Sequence, residues 1–433
     1  MTSRLPLALA AAATLLGCSS SHPEIDRADV ERVVSTLADD AMRGRGVFTP
    51  DLDRAADFLS AEFATIGLDR FADLGGYRQE FPVTIVRVSG RRVVLNGREL
   101  PPEQTAVFAS GSFHWTGTSG IEVAVVGATA DAREAVSRAF NRSGDLLLLI
   151  HPAHEALFHG ALQRYASRGS RTVGEVTAGS NAVFVLTADT NVTSLDVQVE
   201  TTVEEVGRLA NVIGTIPGRR DDELVVFSAH YDHIGIRQPV NGDSIANGAN
   251  DDASGTAAVV ELARYFKALG RPERTLVFVA FTAEESGGYG SQYFARHVDP
   301  DEVVAMFNIE MIGKPAAEGP NRAWITGWDE SDFGEILAAA MPSGGFVFYG
   351  DPYPDQRLFY RADNATLARL GVPAHSISST PMDSDPDYHQ VSDEIETLDL
   401  DHMTATIQAL AQAARPIVSG QATPRRVNPA AGR

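Results

Sequence analysis

One cysteine in 433 residues leaves nothing to pair with, so no internal disulfide braces this chain. Basic residues are scarce too: 36 Lys and Arg stand against 57 Asp and Glu, a formal net charge of −21. A nucleic-acid binder needs a basic face to neutralise phosphates, so the charge balance speaks against that class. Long apolar runs are missing beyond residue 22, and with them any stretch of about 20 residues that could span a bilayer. What remains is ordinary globular material. Hydrophobic residues at 44% and charged ones at 21% exclude a disordered or fibrous chain, and the length suits roughly two or three domains. The acidic surplus reads first as a solvated surface and second as a pool of carboxylates for cations.

The single cysteine, Cys18, closes an N-terminal segment with one Arg and an apolar run over 5–16. That run is short for a membrane span and resembles the core of a secretory signal peptide. The sequence Leu15-Leu16-Gly17-Cys18 resembles the bacterial lipobox, which implies that Cys18 is lipidated and heads the mature chain. Ordinary secretion with cleavage nearby is the alternative. Ser19 follows, where an Asp often retains such lipoproteins at the inner membrane. The resemblance therefore implies a periplasm-facing lipoprotein of the bacterial envelope, held to the outer membrane by its lipid.

Past this 1–18 leader, the pattern divides the chain. Residues 25–80 carry two helical periodicities, Val30/Val33/Val34/Leu37 and Ala55/Ala56/Phe58/Leu59/Phe63/Ile66, broken by Arg43-Gly44-Arg45-Gly46. Residues 81–203 hold short β-like runs separated by Gly, Ser, Asn and Asp, a β-rich insertion. From 204 to 418 apolar strands alternate with helical segments, which predicts an α/β fold: a mostly parallel mixed sheet sandwiched by helices. Residues 419–433, with Pro424, Arg425, Arg426 and Pro429, read as a disordered tail.

In open α/β sheets, reactive side chains collect where strands end and loops converge. Here, several such junctions carry metal-type donors. One strand runs into Ala229-His230-Tyr231-Asp232, where two residues of the same orientation can bind an ion and steer a neighbour. Next come Asn250-Asp251-Asp252 opening a helix, the pair Glu284-Glu285 after an apolar strand, and Glu310 between Ile309 and Met311. Last is Tyr388-His389 before the final helix. Each piece alone has a plain reading: a hydrogen-bonded histidine, a helix cap, a solvated charge pair. Glu310 resists it, because an ionised carboxylate in an apolar run needs a cation or donors. The set on one domain is what points to metal chemistry.

From 209 to about 397 these motifs resemble, in order, the di-zinc aminopeptidases of peptidase clan MH. That family includes secreted bacterial leucyl aminopeptidases, aminopeptidase Y and glutamate carboxypeptidase. The resemblance implies two divalent ions, zinc first, with His230, Asp251 and Glu310 holding one and Asp251, Glu285 and His389 the other. It makes Glu284 the general base and Asp232 the partner that orients His230. Glu310 departs from the family, which usually has Asp there, so one ion meets a longer arm. The implied activity is exopeptidase hydrolysis of N-terminal peptide bonds in peptide substrates. A carboxypeptidase or deacylase, a glutaminyl cyclase-like transferase, and an inactive binding protein are the alternatives. Three carboxylate ligands and a hydroxide would neutralise two divalent ions, so the pair could be partly buried.

Other residues invite functional readings that the pattern does not support. His151, His154 and His159 lack a matching carboxylate set and read as a surface loop-to-helix segment. Asp383, Asp385 and Asp387 suggest a calcium loop, but Pro381 and Pro386 favour a rigid loop carrying His389. Ser254 has no nucleophile elbow around it, and His233 reads as a neighbour of the site. Tyr360, Arg361, Asp363 and Asn364 either line the pocket or form a structural loop.

Overall fold

A computed structural model describes residues 23–140, 144–174 and 179–429. The 1–18 leader with Cys18 lies outside them. Strands of one large mixed sheet form the spine. Its centre is four parallel strands in the spatial order Ala374–Ser378, Val303–Ile309, Arg220–His230 and Arg274–Phe281. Antiparallel strands flank them: Arg322–Ile325 on one side, Leu195–Ile216 and then Arg78–Leu95 on the other.

Both faces of the central strands are covered, which explains why their sequences are continuously apolar rather than alternating. Along Arg220–His230, Val225 and Phe227 point into one cluster, which the helices Arg27–Leu37, Pro50–Ile66, Gly255–Ala268 and Leu400–Ala413 complete. Leu224 and Val226 point the other way, towards Phe294 and Leu367 of helices Tyr289–Ala295 and Asn364–Ala368. The expected helical segments at 25–80 are Arg27–Leu37, capped by Asp26, and Pro50–Ile66, capped by Thr49 and ended by Gly67 at φ +77°. Parallel pairing brings the carboxyl ends of the four central strands to one edge, with His230 opposite Phe281 and Ser228 opposite Asn308. The candidate site sits on that edge.

Three expectations need correction. The breaks placed at 80/81 and 203/204 fall inside strands, because Arg78–Leu95 and Leu195–Ile216 run unbroken from the main sheet into the insertion. Ladder hydrogen bonds across two bulges hold the polar stretch around 200–208 in the second of these strands. The insertion also contains more than strands. Glu122–Val126, Leu146–Ile150 and Ala182–Leu186 pair in parallel, with helix Ala132–Phe140 linking the first two, as a crossover requires. The tail up to Pro429 is placed rather than loose. Val427 is buried and donates to Gly371 O, Arg426 Nη1 reaches Pro300 O and Val303 O, and buried Arg274 binds Ala422 O and Thr423 Oγ1. Such side-chain-to-backbone anchoring leaves no periodic trace.

Candidate metal centre

His230 is the last residue of its strand and is 2% exposed. Its Nδ1–H donates to the Asp232 main-chain carbonyl at 3.1 Å, which turns the Nε2 lone pair towards Asp251 Oδ1, 3.2 Å away, and Glu310 Oε1, 4.0 Å away. Asp232 thus steers the ring through its backbone. Its carboxylate stands 3.8 Å from Nδ1 and instead accepts the Glu284 N–H at 3.0 Å. Asp232 thus orients His230 as expected, but through its own main-chain carbonyl, which is closer to Nδ1 than its carboxylate, because the strand ends at His230 and the chain no longer runs extended to Asp232.

Asp251 lies between two imidazoles and gives one oxygen to each. Oδ1 faces His230, and Oδ2 is 3.2 Å from Nε2 of His389. Glu285 Oε2 is 3.1 Å from the same His389 nitrogen. Glu310 follows its strand directly, and its Oε2 accepts from Asn308 Nδ2 at 3.0 Å. His389 sits at φ +58° and is the most exposed of the set, stacked on Tyr388 at 4.0 Å between ring centroids. The structure therefore gathers His230, Asp251, Glu285, Glu310 and His389 at one place, with Glu284 lining the same cavity.

A divalent cation fits this donor set. Among the described residues, His230 Nε2, Glu285 Oε1 and both ring nitrogens of His233 are buried without a hydrogen-bond partner. Buried polar atoms left unpaired are costly, so their convergence calls for a ligand. The charges agree. Burial pushes Glu284 well above the usual carboxylate range and Glu310 to about 7, with neighbouring carboxylates adding to both. Burial also pushes Asp251 up, but the contacts from His230 and His389 outweigh it and hold Asp251 far below its ordinary value. Crowded carboxylates of this kind are relieved by positive charge, and divalent ions of the zinc class would supply it to N and O donors.

Much of the support escaped the sequence reading. Asp252, the neighbour of Asp251, accepts backbone N–H bonds from His230, Met311 and Gly255 at 3.3, 2.9 and 3.0 Å, tying two ligand strands to one helix start. Asp393 takes the N–H groups of Asn250 and Asp251 at 2.9 and 3.0 Å. Lys314 grips Asp385 and Asp387 at 2.5 and 2.8 Å, which clamps the loop carrying His389 and uses the carboxylates of the supposed calcium loop. Arg45, in the Gly-rich break between the first helices, is fully buried and donates to the carbonyls of Leu37, Tyr231, Asn247 and Gly248. The one available signal was an Arg between glycines in a stretch otherwise read as loop.

The remaining residues fall into place. His151, His154 and His159 each bind a separate local partner, Ala153 N, Gly127 O and Gln163 Oε1. Ser254 Oγ donates to Asn250 O and accepts from Ile312 N, a structural role. Asn364 donates to Phe359 O and Ala374 O, while Arg361 reaches the cavity. That cavity measures about 80 Å³ and is walled by Trp324, Leu358, Met382 and Tyr388.

Residues 211–414 match the model of Peptidase family M28. Among curated proteins, a probable leucine aminopeptidase of Trichophyton verrucosum is 31% identical over 203 residues, 45% of this chain and 53% of that protein. A probable zinc metalloprotease of Pyricularia oryzae is 46% identical over 90 residues, 21% of this chain and 18% of that one. The chain thus spans about half the length of the leucine aminopeptidases it matches, and less of the metalloprotease. Two solved structures share the fold. A zinc aminopeptidase from Bacillus subtilis aligns with TM-score 0.55 at 17% identity, covering 93% of this chain and 97% of that one. An aminopeptidase from Aneurinibacillus sp. strain AM-1 aligns with TM-score 0.52 at 18% identity, covering 91% and 94%.

Proposed function

We propose, from the match of residues 211–414 to the model of Peptidase family M28, that the chain is a two-zinc aminopeptidase of that family cleaving N-terminal peptide bonds. One observation carries this reading: Asp251 offers an oxygen at 3.2 Å to each of two imidazoles, the disposition of a carboxylate shared by two ions. His230, Asp251 and Glu310 would hold one ion; Asp251, Glu285 and His389 the other. When bound, such ions lower the pKa of a water and polarise a carbonyl oxygen.

The protein's own part is proton transfer and placement. Glu284 follows the strand end, borders the ligand Glu285, and has its backbone fixed by the Asp232 carboxylate. Its burial favours proton uptake, so it accepts the proton of the attacking water. It then gives that proton to the departing amine, which leaves as the peptide C–N bond breaks. The apolar walls formed by Trp324, Leu358 and Met382 exclude water around the residue being released. From the lipobox resemblance we place this activity in the periplasm, tethered to the outer membrane through lipid on Cys18.

Zinc analysis of the purified chain, joined to hydrolysis of peptides with free and acetylated N-termini, tests the proposal. Two zinc ions per chain, and cleavage confined to free N-termini, are expected. Release of C-terminal residues from acetylated peptides would transfer the assignment to a carboxypeptidase.

A further inference from the structure

His233 lies one residue beyond Asp232 and is 1% exposed, yet neither ring nitrogen has a hydrogen-bond partner among the described residues. Its Nδ1 is 3.0 Å from Glu285 Oε1, and that oxygen is likewise without a hydrogen bond. Atoms this close that fail to form a hydrogen bond are not aimed at each other. His230 Nε2 and Asp251 Oδ1 show the same relation at 3.2 Å, and there both atoms belong to the proposed ligand set. Two ligands about 2.0–2.1 Å from one zinc ion stand roughly 3 Å apart and point past each other towards the metal. One ligand atom each from His233, Asp251 and Glu285 lie within 4.8 Å of one another.

The ring is also built into position. Gly248, at φ +58°, packs against it so closely that a Cβ there would stand 2.5 Å from His233 Cγ. The His233 N–H is held by the Arg45 carbonyl at 3.3 Å. Glu285 presents Oε1 to His233 and Oε2 to His389, so its carboxylate lies between two imidazoles as Asp251 does.

We propose that His233 is a third imidazole ligand of the metal pair, binding through Nδ1 beside Asp251 and Glu285. The inference rests on the two-zinc reading but concerns a residue outside that ligand set. X-ray absorption at the zinc edge of the full chain, loaded with zinc, counts the imidazoles. Three shared between two ions are expected. His233→Ala should leave one per ion and weaken the looser zinc by about tenfold or more in competition with a chelating dye. If that variant does not fold, the count on the unaltered chain still decides. Two zinc ions with one imidazole each would overturn the third ligand while leaving the two-zinc reading intact. A chain that binds no zinc overturns both.

Discussion

Replacing Arg45 by Met keeps most of the side-chain volume and removes every donor. Four buried carbonyls, those of Leu37, Tyr231, Asn247 and Gly248, then lose their partner. Hydrogen bonds from a charged group contribute about 1.5–3 kcal/mol each. Set against them is the cost of burying the guanidinium, visible in a pKa that burial draws down to about 10. Breaking a buried charged network by removing one side typically costs about 3–5 kcal/mol, and that is the expected loss here. With about 2.1 cal/mol/K of unfolding entropy per residue over 433 residues, it corresponds to a fall in Tm of about 3–6 °C. Asn247 and Gly248 lead directly into Asp251, so zinc affinity should fall with stability. Calorimetry with and without zinc, together with a competition titration, measures both. Arg45→Lys should rescue only part, because one ammonium cannot span carbonyls on three segments. A Tm within about 1 °C of the parent and unchanged zinc affinity for Arg45→Met would refute the argument.

Other perturbations separate the remaining roles. Glu284→Gln should lower turnover by about 10²-fold or more while both zinc ions stay, since it removes a proton carrier and no ligand; retained activity would reassign the base. Glu310→Asp should keep zinc and activity because charge and oxygen donors persist, whereas Glu310→Ala should lose the ion held with His230, read by zinc stoichiometry. Cys18→Ala should leave the enzyme active and move it from the membrane to the soluble fraction; a variant still in membranes would end the lipid-anchor proposal. His375 is buried between a Ser331 hydroxyl at 2.7 Å and the Thr326 carbonyl at 2.8 Å, and burial lowers its pKa to about 4. A depressed pKa means the unfolded chain takes the proton first. Its contribution to stability is therefore intact above about pH 6.5, and about 3 kcal/mol is lost as the pH falls towards 4. The difference in unfolding free energy between the parent and His375→Asn should shrink over that window, and a constant difference would contradict it.

The parallel strands and the gathering of candidate ligands at their ends were legible because two signals coincide there. Runs such as those ending at His230, Phe281 and Ile309 are apolar on both faces, and a charged or imidazole side chain stands at or within three residues of each end. Parallel pairing then places those ends together without further information. The β-like runs of the insertion were legible, but their continuity into the main sheet was not, since it rests on pairing of 200–208 with partners at 80–90 far away along the chain. The same holds for the tail, fixed by Arg274 and Arg426 through main-chain oxygens that carry no sequence signature.

The supporting carboxylates show why residue type alone runs out at this site. Asp251 and Asp252 are adjacent and chemically identical, joined by a cis peptide bond. Asp251 faces two imidazoles, whereas Asp252 faces three backbone N–H groups. Asp232 likewise gives Oδ1 to the main chain of Glu284, and Asp393 gives both oxygens to that of Asn250 and Asp251. A carboxylate can neutralise a cation or fix a loop, and the choice depends on which donors the fold turns towards it. For those that hold the main chain, the amide oxygen of Asn can replace only part of the acceptor capacity, and the charge is lost. The residues proposed as ligands are thus carried on backbone that a second ring of acids, indistinguishable from them in the sequence, holds by hydrogen bonds.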